Sequence, residues 1–236
     1  MLVNVDVKYL DWLAAVWLSQ DEVAMKEIID GTDLHSDNQK AFNLPSRLIA
    51  KVFLFRIIFG GGAYSFSLDP DFKDTGLSEK QWEDVISKFY KKYDGIRRWH
   101  ESLVQRAMVN KRLEIATGRT WEFTKGYDRR GEVKWPITLI KNYPVQGLEA
   151  DLMMIVRVSL MKRIKHEPDI LLVNSVHDSV LLDVPSRHVD WTVDVIRSVF
   201  RDVPDNFRRL FGVSFNLPFR GEISVGNDWL NMKEVT

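Results

Sequence analysis

The stretch from Asp169 to Pro185, DILLVNSVHDSVLLDVP, constrains the chain most. Two short runs rich in leucine and β-branched residues flank one polar step, His177-Asp178-Ser179. Runs of that composition and length predict two buried strands in a tight hairpin. Asp178 is then held on rigid backbone at the tip of an apolar sheet, where an ionised group is costly unless a cation meets it. An ordinary polar turn is the simpler alternative on this segment alone. The start of the chain shifts the balance, because Leu2-Val3-Asn4-Val5-Asp6 alternates as a strand and closes on a second aspartate.

Composition serves mainly to exclude. The chain of 236 residues can bury a substantial core as one large domain or two small ones. It has no cysteine, which rules out disulfides and thiolate metal sites and points to a reducing compartment. The opening six residues already contain an acid, unlike a secretion signal. The longest apolar run, 52–64, is interrupted by Arg56 and three glycines, so no bilayer span is expected. A net charge of zero argues against a chain basic all over and leaves room for a local basic groove.

Helical spacing of apolar residues predicts a helix over 10–29 with Trp12, Ala15, Leu18 and Val23 inward, broken by Asp30-Gly31-Thr32-Asp33, which offers an N-cap. A second helix follows Ser46, a capping residue, and ends at Gly60-Gly61-Gly62. Within it Arg47, Lys51, Phe55 and Phe59 recur every four residues and share one face. Two cations at one end and two rings at the other suit a triphosphate and a stacked base. An amphipathic helix with a solvated basic end fits the same spacing. Leu148, Leu152, Ile155, Val156 and Leu160 are expected in the core of a helix over 148–164, and Val189, Trp191, Val195 and Val199 in that of a helix after Pro185. The basic pairs Arg97-Arg98, Lys111-Arg112 and Arg129-Arg130 read as phosphate contacts or, more simply, as solvated faces. No internal repeat, low-complexity tract or obvious linker divides the chain.

Arg47-x3-Lys51-x3-Phe55-x3-Phe59-Gly60 resembles the nucleotide-binding fingers helix of family A DNA polymerases, the group of bacterial DNA polymerase I and several phage enzymes. Asp6-Val7-Lys8-Tyr9-Leu10-Asp11 and Val176-His177-Asp178-Ser179 resemble the two palm motifs, in the right order. Asn142-Tyr143-Pro144-Val145-Gln146-Gly147 is similar to the family's Asn-x3-Gln-Gly segment, and Thr117-Gly118-Arg119 to a palm element that touches the primer–template backbone. Val225-Gly226-Asn227-Asp228-Trp229-Leu230 resembles the closing segment.

The resemblance implies an α+β fold: an antiparallel palm sheet backed by helices, with a helical fingers insertion. Palm would occupy 1–30 and 116–236, and fingers 31–115. The implied reaction is template-directed addition of dNTPs to a primer 3′-OH, with pyrophosphate released. Phosphoryl transfer of this kind employs two divalent ions about 3.5–4 Å apart, so Asp6 and Asp178 are the expected catalytic acids. With the main-chain carbonyl of Val7 they would hold two Mg²⁺ ions, Mn²⁺ substituting. Mg²⁺ commonly takes only one or two protein carboxylates, so a two-Asp site is sufficient. Arg47, Lys51, Phe55, Phe59 and His35 would bind nucleotide, with Asp11 near the sugar 2′-position. Taken alone, His35 reads more simply as a cap or surface residue. Gln146, Asn142, Arg119 and His177 would contact DNA, where a neutral amide can bond the acceptors common to all base pairs; a helix cap before Leu148 is the other reading of Asn142.

Some positions depart from the family pattern. Ser179 replaces a common glutamate, Asp11 stands where relatives have glutamate, Phe59 where many have tyrosine, and Thr138 where some have arginine. The Asp11 and Phe59 changes imply weaker exclusion of ribonucleotides. The sequence opens at the first palm strand. A split polymerase is therefore expected, with a second polypeptide supplying thumb and remaining palm, in the cytoplasm of a bacterial cell or phage-infected host and without membrane partners; a truncated or decayed gene is the simpler alternative. A catalytically silent assembly subunit is the alternative. A metal-dependent nuclease using the same aspartates is a third, but no water-activating base is evident.

Overall fold

The computed structural model describes residues 1–127 and 131–235. Arg129-Arg130 lies outside the described residues. In chain order the elements begin with β1 (Leu2–Val7), α1 (Leu10–Ser19), α2 (Glu22–Asp30), α3 (Leu34–Phe42), α4 (Arg47–Ile58) and α5 (Ala63–Leu68). After a 3-10 turn at Pro70–Thr75 come α6 (Glu79–Lys92), α7 (Asp94–Asn110), and the short strands β2 (Arg112–Glu114), β3 (Thr120–Glu122), β4 (Gly126–Tyr127) and β5 (Val133–Lys134). The long helix α8 (Ile137–Ile164) leads to β6 (Leu171–Val176), β7 (Ser179–Asp183), α9 (Val189–Phe211), β8 (Gly221–Gly226) and β9 (Lys233–Glu234). The mixed helical and antiparallel architecture is the α+β class expected. No described helix is long and apolar enough to cross a membrane.

The chain divides into two compact units, Met1–Leu10 with Leu148–Thr236, and Asp11–Gly147. The first is built on a five-stranded antiparallel sheet in the order β6-β7-β1-β8-β9. Strand period decides its faces: Val3, Val5 and Val7 are buried, while Leu2, Asn4 and Asp6 point the other way. From α9, Val193, Ile196, Val199, Phe200, Val203 and Phe207 face inward. The core positions predicted on α8 are all buried.

The second unit is helical around an aromatic core in which Phe42, Phe53, Phe66, Trp82, Phe89 and Tyr93 are almost fully buried. Phe53 stacks on Trp82 at 5.9 Å, with Phe66 and Phe89 edge-on to Phe53.

Several local expectations are corrected. The helix predicted over 10–29 is two helices, because Gln20 takes φ 49° and Asp21 starts α2 afresh by accepting the Ala24 N–H at 2.9 Å. Val23 is consequently exposed, not inward. In α9 the inward face is one residue out of phase with the prediction: Trp191 is exposed, Val189 and Val195 are half-buried, and of the four only Val199 is core. The hairpin forms, but only β7 is buried. β6 is the sheet edge, bulged between Leu172 and Asn174, with Leu171, Val173 and Val176 exposed. Composition alone could not distinguish an edge strand from a central one.

Candidate active site

Within the first unit, β1 lies between β7 and β8, so Asp6 stands opposite Ser179 on one side and Glu222 on the other. At the hairpin tip His177 takes the left-handed conformation, φ 49°, and the Val7 N–H donates to the Asp178 carbonyl at 2.9 Å. That bond ties the backbones carrying the two aspartates together at the end of the central strand pair. Asp6 is exposed, Asp178 half-buried and His177 exposed, each accessible from solvent within this unit. The Ser179 hydroxyl donates to the Val176 carbonyl at 3.0 Å, locking the turn.

Gly221 is needed beside Asp6. A Cβ there would lie 2.8 Å from the Asp6 carbonyl oxygen and 2.4 Å from the Phe200 ring. Glu222, which the sequence did not single out, bonds Lys8 at 2.7 Å and raises its pKa. Its placement across from Asp6 depends on the β8 register, for which the sequence carries no marker. No group of three or more His, Asp or Glu side chains suited to a metal is formed among the described residues. The oxygen donors near the tip, the carboxylates of Asp6 and Asp178 and main-chain carbonyls, are hard and suit Mg²⁺.

The second unit collects the predicted nucleotide residues. Ser46 caps α4 by accepting the Ile49 N–H at 3.2 Å. Ala50, Phe53, Leu54, Ile57 and Ile58 face the core, which leaves Arg47 and Lys51 exposed and Phe55 and Phe59 half-buried on the outer face. His35, on α3, is buried with its ring centroid 6.3 Å from that of Phe55. Burial, reinforced by the positive fields of Arg47 and Lys51, pulls its pKa down to about 4. The imidazole is neutral at pH 7.

By sequence, Asp33 belongs to the stretch that offers an N-cap. It does accept from the Ser36 N–H, and it also holds Arg47 through a salt bridge of 3.1 Å. That guanidinium, with help from Ser36, holds the Asp33 carboxyl well below the usual carboxylate range. Lys51 makes a cation–π approach of 6.0 Å to Phe55 and no ion pair among the described residues. A cation without a carboxylate partner, beside an aromatic face, is a ready anion contact.

A third group forms on α8. The helix starts at Ile137, so Asn142 is interior to it and not the cap before Leu148 that was the alternative reading. A Cβ on Gly147 would meet the Trp121 ring at 2.4 Å and Arg119 Cδ at 3.2 Å. The glycine thus lets β3 and its turn lie on the helix, with Arg119 beside Gln146-Gly147. Gln146 is exposed and Asn142 half-buried one turn before it. Asp11 sits half-buried in the first turn of α1. Arg97 and Arg98 are engaged by Asp94, and Arg112 by Glu114, consistent with the solvated-face reading.

Comparison with known proteins gives a consistent picture. The sequence profile of DNA polymerase family A matches residues 1–231. DNA polymerase I, thermostable, of Thermus filiformis is 25% identical, the match covering 99% of this chain and 27% of that protein. The Thermus aquaticus counterpart is 23% identical with the same coverage. DNA polymerase I of Deinococcus radiodurans is 21% identical, covering 98% of this chain and 24% of that protein. Among solved structures, the POL domain of Pol1 from M. smegmatis, in complex with DNA primer-template and dNTP, matches with a TM-score of 0.79 at 18% identity. That match covers 97% of this chain and 40% of the other. The chain therefore spans about a quarter of the length of the curated relatives it matches.

Proposed function

The chain belongs to DNA polymerase family A, and from that premise we propose that it is the palm and fingers of a template-directed DNA polymerase, adding dNTPs to a primer 3′-OH and releasing pyrophosphate. The observation that carries this reading is the joining of Asp6 and Asp178 across β1 and the hairpin tip. A carboxylate on β1 and one in the adjoining hairpin turn suit hard divalent cations. We assign Mg²⁺ binding to Asp6, Asp178 and the Val7 carbonyl, with Mn²⁺ as a substitute. When bound, such ions supply charge neutralisation at the attacking 3′-oxygen and the leaving pyrophosphate.

The remaining roles belong to side chains. Arg47 and Lys51 bind the triphosphate, and Phe55 and Phe59 pack against base and sugar. Arg47 must exchange or share Asp33 as it does so. His35, neutral when the site is empty, gains a reason to protonate once phosphate charge arrives beside Arg47 and Lys51. Asp11 is assigned to the sugar 2′-position. Arg119, Asn142, Gln146 and His177 are assigned to primer–template, and residues 31–115 to fingers.

A duplex is held by phosphate contacts spread along its length, and a thumb-bearing segment, on a second polypeptide in the split-polymerase reading, is assigned a share of them. The test is Mg²⁺-dependent primer extension, with pyrophosphate measured in parallel, by the chain alone and mixed with a candidate thumb-bearing polypeptide. Extension that Asp178→Asn abolishes supports the reading. A stable assembly that binds primer–template but never extends it would instead identify a catalytically silent subunit.

A further inference from the structure

The last turn of α4 has carbonyls that no later helical N–H can reach. Two are met by the chain's own turn: Gly60 N–H donates to Ile57 and Gly61 N–H to Arg56, each at 2.9 Å. The third, Ile58, is met from another helix, at 3.0 Å from His100 Nε2 on α7. A carbonyl only accepts, so Nε2 must carry the proton. The lone pair of a neutral ring then lies on Nδ1, where the Tyr90 hydroxyl of α6 donates at 3.0 Å. His100 is 2% exposed, so nothing from solvent competes for either nitrogen.

The protonation states agree with this chain of bonds. Burial, and next the nearby Lys141 ammonium, bring the His100 pKa down to about 3. Burial pushes that of the Tyr90 phenol up to about 12. The ring is thus neutral and the hydroxyl protonated across the neutral range. The turn beyond is equally constrained. Gly60 has φ 85°, and a Cβ on it would lie 2.8 Å from Lys141 Cδ; one on Gly61 would lie 2.4 Å from the Phe66 ring. Between Ile58 and these glycines sits Phe59.

We propose that His100 is a positioning residue: oriented by Tyr90, it pins the Ile58 carbonyl and so fixes where α4 presents Phe55 and Phe59 to an incoming nucleotide. This rests on the reading of α4 as the nucleotide helix. His100 lies on the core side of that helix and acts through it, without touching substrate.

The test uses the full chain with primer–template, and three variants. Tyr90→Phe keeps the ring and removes the donor. His100→Leu removes both bonds, and His100→Gln keeps an amide N–H for Ile58 and a carbonyl for Tyr90. Amide hydrogen exchange at Gly60 and Gly61 is measured together with dNTP and primer–template dissociation constants. Tyr90→Phe and His100→Leu are expected to speed exchange at Gly60 and Gly61 about tenfold, with no change at Trp82 or Leu103. They should weaken dNTP binding about five- to tenfold and leave primer–template binding unchanged, while His100→Gln should stay close to the wild type in both measurements. Faster exchange spread evenly over the chain would mean a purely structural histidine and overturn the proposal. So would local loosening with unaltered dNTP affinity. If the wild type shows the local exchange pattern but binds no dNTP, the nucleotide-helix reading itself fails, and the positioning role with it.

Discussion

Lys51 and Arg47 lie one helical turn apart yet stand in different electrostatic states, and that difference orders their expected effects. Lys51 has no carboxylate partner among the described residues, so its full charge is available to phosphate. A charge-assisted hydrogen bond contributes about 1.5–3 kcal/mol, which at a tenfold per 1.36 kcal/mol corresponds to about a 10- to 100-fold fall in kcat/KM for dNTP in Lys51→Ala. Primer–template affinity should stay level; a loss concentrated there would move Lys51 into a DNA groove. Arg47 is shared with Asp33. Asp33→Asn keeps the cap on α3 while weakening that competition, so triphosphate binding should tighten severalfold, as titration calorimetry would show; weaker binding would mean that Asp33 orients Arg47 for the ligand.

His35 gives a pH signature at the same scale. Its folded pKa, about 4, lies below its ordinary value near 6.5. Between those values the unfolded chain binds more protons than the folded one, so stability falls as the pH drops through that window. His100, depressed further, adds a fall in the same direction. His35→Gln should therefore show a smaller difference between its urea midpoints at pH 7 and pH 4.5 than the wild type. Equal differences in the two proteins would remove the depressed pKa.

At the scale of elements, glycine contacts decide where side chains can be placed. Gly221 allows β8 to close on Asp6 and Phe200. Gly221→Ala forces overpacking, which costs about 1–3 kcal/mol, and displaces the Asp6 backbone. Extension should drop further than the shift in Tm explains, and wild-type activity in the variant would separate Gly221 from the site. Strand period, caps and the four-residue stripe of α4 were legible in the sequence, because each is set by neighbours within a few positions. The hairpin tip and the capping roles of Ser46 and Asp33 were legible for the same reason. What was not legible depends on partners distant in sequence. The edge status of β6, Glu222 opposite Asp6, Asp33 on Arg47 and the contact of Arg119 with Gly147 all follow from register or tertiary approach. The broken helix over 10–29 was missed differently: Asp21 looks like any polar helix residue until its side chain turns back to cap Ala24.

For the whole molecule, family membership sets the frame, and the two compact units hold different sets of the proposed site residues. One carries the paired aspartates, and the other the cationic and aromatic stripe together with Arg119, Asn142 and Gln146. Contacts that hold a duplex are the most salt-sensitive part of such a system. If a thumb-bearing polypeptide supplies many of them, adding it should lengthen products at moderate salt and leave the first incorporation comparatively unchanged; length distributions that do not respond would argue against that partner. The most direct measurement is single-nucleotide incorporation opposite a defined template base, with Mg²⁺ and with the thumb-bearing polypeptide present, comparing wild type with Asp6→Asn and Asp178→Asn. The expected result is templated incorporation with one pyrophosphate released per addition, lost on chelation and abolished in both variants while their circular dichroism remains that of the wild type. Incorporation by either variant at near the wild-type rate, or none by the wild type under any of these conditions, would contradict it.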